Sequence, residues 1–162
     1  MADIYAFLEL EDIEGESQDS QYEKKIELQS FSWGASNSSS FASGTGSGVG
    51  KGQIHDISCS KFTDRASLRL MERAVNGKPI NSGKVTLLKQ AGDTKIPYFE
   101  IKLTNVVVTS FHVAAGSDGH LPMESFTLHF VKVESKYLPQ GNEGDPAGNV
   151  EFGWDLQKNV TA

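Results

Sequence analysis

The chain has one cysteine, Cys59, so no internal disulfide can form and the fold does not depend on an oxidising compartment. It has no apolar run of the roughly eighteen residues needed to span a bilayer, so no membrane partner is expected. Its opening, MADIYAFLELED, lacks a basic leader and a long apolar stretch, so no cleaved secretory signal is expected. The chain is therefore expected to be made and folded in a cytoplasm, and to leave, if it leaves, by a route that reads no such signal. Basic side chains are also scarce: 15 Lys and Arg against 21 Asp and Glu give a formal charge of −6. That balance argues against a nucleic-acid binder, which needs a cationic footprint against phosphates.

Chemistry-bearing patterns are equally sparse. His55, His112, His120 and His129 stand in no recognised metal-ligand spacing. Cys59 alternates onto the face of Ile57 and reads as a small buried hydrophobe, without the histidine partner a catalytic thiol needs. The acidic run from Asp12 to Asp19 lacks the ligand spacing of a helix–loop–helix calcium site and reads as a solvated turn. In GTGSGVGKG, Lys51 is followed by Gly52 rather than a hydroxyl residue, and the segment leads into a strand, unlike a phosphate-binding loop. No Gly-x-Ser-x-Gly elbow stands between a strand and a helix. No catalytic, metal-binding or cofactor-binding residue is assigned, and no cofactor is expected. Function must then lie in surfaces.

What the chain does have is period-two patterning. In DIYAFLEL, Ile4, Ala6, Leu8 and Leu10 share one face while Tyr5 and Phe7 share the other, which places the latter pair against a second sheet or a neighbour. In YEKKIELQSFSWG, Ile26 and Leu28 have one parity and Phe31 and Trp33 the opposite one. The switch near Gln29–Ser30 predicts a bulge, a bend, or a strand leaving one sheet for another. GQIHDISCSKF, the short GKVTLLKQ, the long PYFEIKLTNVVVTSFHV with room for a bend, MESFTLHFVKVE and VEFGWDLQKN complete the strands. In MESFTLHFVKVE, Phe126, Leu128 and Phe130 point one way and Thr127 and His129 the other.

One segment has a helical period. TDRASLRLMERAV predicts a helix near residues 64–75, with Thr63 as N-cap, Asp64 in the first turn and Gly77 as left-handed stop before Pro79. Ala66, Leu70, Met71 and Ala74 form its apolar stripe, and Arg65, Arg69 and Arg73 line a polar flank. Leu68 lies off that stripe, on a side where water is expected, and is a candidate contact with another subunit or with the edge of a sheet. The stretch from 37 to 50 contains nine Ser or Gly among fourteen residues, too little apolar surface to offset its own ordering. Phe41 and Val49 are its only sizeable apolar groups and are the other candidate assembly contacts. The expected fold is mainly β: a small β-barrel of two packed antiparallel sheets with one main α-helix.

The residues IYAFLELEDIEGESQDSQYEKKIELQSFSWG, CSKFTDRASLRL, FEIKLTNVVVTSF, ESFTLHFVKVESKY and WDLQKN, in this order and spacing, resemble the haemolysin-coregulated protein family, Hcp. Members are tube proteins of bacterial type VI secretion systems and structural relatives of phage tail-tube proteins. Tyr22 departs from the histidine common at that place. The resemblance implies one tube domain over 1–162, with an extended loop at about 37–52. It implies a homo-hexameric ring, ring-on-ring stacking, and partners in a contractile sheath, a spike protein and small effectors that the ring carries or stabilises. It also implies expulsion from the cell. Two other readings fit the same composition: a monomeric β-rich adaptor or carbohydrate-binding module, and a small β-barrel hydrolase.

Overall fold

The computed structural model describes residues 4–37, 52–139 and 148–162. Eleven strands and one helix follow in chain order: β1 (Ile4–Leu10), β2 (Ile26–Leu28), β3 (Ser30–Ser32), β4 (Ala35–Asn37), β5 (Gly52–Ile54), β6 (Ile57–Phe62), α1 (Ser67–Asn76), β7 (Ile80–Ala91), β8 (Thr94–Ala114), β9 (Met123–Tyr137), β10 (Val150–Asp155) and β11 (Val160–Thr161). The architecture is mainly β with one helix. All pairings are antiparallel, and the main sheet runs β2–β1–β7–β8–β9–β10–β11. The stretch GKVTLLKQ, read as a short strand, lies within the twelve-residue β7.

Two features wrap this sheet around a core. The outer edge of β9 is shared: its first half pairs with β6, from Phe62↔Met123 to Ile57↔Leu128, and its second half with β10. Meanwhile β2 pairs with β1 while β3, one residue later, pairs with β6. The parity change at Gln29 is therefore a strand passing from one sheet neighbour to another. Gln29 N–H donates to Ser60 O at 2.8 Å as the chain makes this transfer. Ile26 and Leu28 are buried and Phe31 and Trp33 pack partly against the same core, so the switch keeps both parities facing inward. No continuous ladder closes the barrel among the described residues, so the two packed sheets expected from the sequence are one wrapped sheet joined through a bent segment.

The core fills the inside of this wrap with Leu8, Ile57, Ile101, Leu103, Val106, Leu128 and Phe130, among others. Helix α1 lies against β8 and closes one side, contributing Leu70 and, at its N-cap, Ala66. It begins at Ser67, later than the sequence predicts, and Thr63 does not cap it. The Thr63 hydroxyl instead reaches Glu124 Oε2 at 2.9 Å. Asp64 takes the terminal role one turn ahead: its Oδ1 accepts from Ala66 N–H at 2.8 Å, and Ser67 Oγ accepts from Asp64 N–H at 2.9 Å. Gly77, at φ 68°, ends the helix as expected, its N–H donating to Arg73 O. Met71, assigned to the apolar stripe, is at the solvent margin because the helix touches the sheet along Ala66, Leu70 and Ala74.

A fully buried lysine fastens the helix to the sheet. Lys61 has 0% of its surface exposed, and its Nζ lies 2.7 Å from Glu124 Oε1, 2.7 Å from Asp64 Oδ1 and 3.0 Å from Ser67 Oγ. Ser67 Oγ–H donates to Glu124 Oε1 at 2.8 Å. Every ammonium proton is thus used, which is the condition under which a charge can be held away from water.

The acidic turn is anchored rather than merely solvated. Glu11, Asp12, Glu14 and Glu16 face water while Ile13, Gly15 and Ser17 are buried between them. Gly15 N–H donates to Lys24 O at 2.8 Å, and a Cβ on Gly15 would meet Lys25 O at 2.4 Å, so only glycine fits. The segment lays Tyr22 flat on Phe7, ring centroids 4.9 Å apart. Phe7 is therefore buried by its own chain, and not by the second sheet or neighbour its position suggested. Lys95 binds Asp19 and lies 4.2 Å over the Tyr5 ring, pinning the far side.

Two outcomes follow. Lys61→Met leaves Glu124 buried without its cation and should destabilise the fold by about 3–5 kcal/mol, read by urea denaturation. The double variant Lys61→Met with Glu124→Leu should regain much of that loss, and no regain would refute the ionic origin of the effect. The Lys95 hydrogen bond, and then that from Gln21 N–H, hold the Asp19 carboxyl below its ordinary value, and the same bond holds Lys95 above its own. Asp19 thus stabilises above about pH 4 and loses this as pH falls through its lowered value, whereas Lys95 stabilises below about pH 10 and loses this as pH rises through its raised value. Lys95→Met should lower the melting temperature between those limits and merge with the parent in acid.

Candidate assembly surfaces

Among the described residues no group of three or more His, Cys, Asp or Glu side chains is gathered to hold a metal, and no helix is long and apolar enough to cross a membrane. Cys59 is buried, and burial pushes its thiol up to about 12, far from the range of a reactive thiolate. His129 Nδ1 is 2.8 Å from Asp56 Oδ1, yet the nearby Thr109 hydroxyl donates to Asp56 rather than to the imidazole. A nucleophile–base pair is not assembled there. The charged hollow between the acidic turn and β7 is lined by Glu9, Glu11, Asp12, Lys84 and Lys102, with the hydroxyl residue Ser82 among them and no His or Cys beside it.

Apolar side chains on the outside are the more informative feature. Leu68 is 74% exposed on the outer side of α1, beside Arg65, Arg69 and Glu72. Val75, seven residues on and 84% exposed, continues the same face, with the partly exposed Met71 between them. The helix therefore carries a second apolar line besides the one it buries. Sequence reading found Leu68 and missed Val75, although the seven-residue spacing was available as a signal.

The strand pair β4–β5 forms a separate two-stranded sheet, with Ala35↔Ile54, Ser36↔Gln53 and Asn37↔Gly52 in register. It is the stem of the Ser/Gly-rich loop. Phe41 and Val49 lie outside the described residues. Two further exposed apolar groups went unnoticed in the sequence because their segments read as ordinary half-buried strands. One is at the β8–β9 end of the barrel, where Val113, Leu121, Met123 and Phe62 are exposed. The other lies on β10 and the end of β9, with Val150, Phe152 and Tyr137. Val150 and Tyr137 are directly paired, and Phe152 approaches Trp33 at 6.4 Å between ring centroids. Apolar patches on several sides of one small barrel suit association with other chains.

Comparison with known proteins agrees. The family model described as type VI secretion system effector, Hcp, matches residues 7–137. Protein hcp1 of Pseudomonas aeruginosa is 33% identical over 157 residues, which is 96% of this chain and 97% of that protein. The solved structure of a type six secretion system protein superposes with a TM-score of 0.90 at 31% identity, covering 99% of this chain and 100% of the other. Hcp1 from Salmonella typhimurium follows at a TM-score of 0.78 and 24% identity, a likeness of fold over 100% of both chains.

Proposed function

The chain belongs to the Hcp family of type VI secretion system effectors, and from that membership we propose that it is the repeating subunit of the system's inner tube. The family is one of structural, non-enzymatic secretion proteins. In our reading residues 1–162 act as one tube domain, six copies close into a ring, and rings stack into a hollow tube. The likeness to a type VI secretion protein along nearly the whole of both chains is the observation that carries this. The exposed apolar groups of the barrel support it, since a ring needs two different surfaces on each subunit and stacking needs more.

The partners in this reading are further copies of the chain, a contractile sheath, a spike protein and small effectors held in the ring. In this reading the protein is made in the cytoplasm and leaves with the expelled tube. Leu68 is a contact on the outer helix face, and Phe41 and Val49 are contacts offered by the loop at about 37–52. Burying Phe41 against a neighbour contributes roughly 1.5–3 kcal/mol. Ordering a few Ser and Gly residues costs about 1–2 kcal/mol each, so a single contact is weak and acts only when repeated around a ring.

Mass in solution tests the ring: a hexamer is expected at micromolar concentration, and a strict monomer at high micromolar would favour a monomeric β-rich adaptor. Phe41→Ser and a chain shortened across residues 43–48 should fold normally, form hexamers and stack poorly. Leu68→Asp should change the unfolding free energy by no more than about 0.5 kcal/mol and reduce assembly. Loop variants that fail to fold would place the loop in the core, and loop variants that stack normally would make it a plain linker.

A further inference from the structure

The stem β4–β5 has little that fixes its direction. Ala35, Ser36, Asn37, Gly52, Gln53 and His55 are exposed, and only Ile54 and Trp33 lean on the core. Two polar contacts tie its strands to each other: His55 N–H donates to Gly34 O at 2.9 Å, and Ser36 Oγ lies 2.8 Å from His55 Nε2. Neither reaches the barrel wall. Among the described residues, the side-chain hydrogen bonds that do are those of Asp56, immediately below the stem. Its Oδ1 takes His129 Nδ1 of β9 at 2.8 Å and its Oδ2 takes Thr109 Oγ1 of β8 at 2.9 Å.

The wall is shaped for this contact. In the β8–β9 ladder the register shifts between Val108↔Leu128 and Ser110↔Thr127, which makes Thr109 the extra residue of a bulge. The bulge brings two consecutive hydroxyls to one partner: Thr109 and Ser110 each lie 2.6 Å from Thr127 Oγ1. An ionised carboxylate only accepts, and a hydroxyl has one proton, so the direction of the chain is forced. Ser110 donates to Thr127, Thr127 to Thr109, and Thr109 to Asp56. His129 must carry its proton on Nδ1. Four side chains from two neighbouring strands are thereby polarised toward one carboxylate at the foot of the stem.

We propose that Asp56 is a clasp that sets the direction of the β4–β5 stem against the barrel wall, and through it the reach of the loop toward a neighbouring ring, without contributing to the folding of the barrel. The second half of this inference rests on the tube-subunit reading; the first does not. Asp56→Ala removes both acceptors, Thr109→Val removes one donor and keeps the shape, and Asp56→Asn retains one acceptor.

Hydrogen exchange of the full chain, with tube formation followed in parallel, tests it. In Asp56→Ala the protection of the His55 amide and the β4–β5 amides should fall about tenfold while the β7–β8 amides keep theirs, with Thr109→Val and Asp56→Asn intermediate. Stacking should fall in the same order at unchanged hexamer mass. Unchanged stem protection in Asp56→Ala would overturn the clasp, and an equal loss throughout the barrel would overturn it by making Asp56 a residue of the fold. A loosened stem with normal stacking would overturn the link to assembly. Normal stacking in the loop-shortened chain would instead refute the reading of the loop as a contact, leaving the exchange result to decide the clasp.

Discussion

The ammonium of Lys61 lies between Glu124 on β9 and Asp64 and Ser67 at the start of α1, with no surface left to water. A charge in that position is tolerable only while all its partners stay in place, so the interaction couples the joint between β6 and α1 to the sequence-distant β9. The helix cannot slide along β8 without leaving a carboxylate or an ammonium alone in the interior. This explains why the helix starts at Ser67 and not at Asp64. The residues that would form an ordinary first turn are engaged in holding Lys61 and one another.

With the helix placed, the rest of the barrel depends on one strand edge. β9 gives half of its edge to β6 and half to β10, so the sheet branches there. The β6 branch returns to β1 through the bent segment around Gln29, enclosing the core, while the β10–β11 branch continues outward with Phe152 47% exposed. The same division separates folding from association. Residues enclosed by the β6 branch are core, and Trp154 of β10 and Ile54 of the stem still lean on it, whereas Val150 and Phe152 on the outward branch and Leu68 and Val75 on the outer side of α1 are exposed.

A structural protein of this kind needs interfaces that are individually modest and correctly aimed. The exposed apolar side chains fall in separate groups on several faces, which suits the proposed assembly built from many repeated contacts. Aim is the harder requirement for a thin two-stranded stem with few apolar anchors. The bulge in β8 that turns Thr109 toward Asp56 supplies it with polar groups, and leaves the hydrophobic core uninvolved.

Much of this was legible in the residues themselves. Alternation marked β9, opposite parities at Leu28 and Phe31 marked the strand that changes neighbours, Gly77 marked the end of the helix, and Leu68 was recognised as facing water. The order of the motifs identified the family. Each of these is a local property, because periodicity reports which face of an element is covered. The partners of polar groups are not local. Nothing near Lys61 or Glu124 in the chain announces that they meet, nor that Tyr22 covers Phe7, nor that Thr109 finds Asp56. Local pattern therefore places most strands and the helix and names the sides they bury, although not every boundary, as the helix start at Ser67 shows. How charges and hydroxyls pair across them is settled in three dimensions, because desolvating a polar group is tolerable solely when a distant segment arrives with a complementary one.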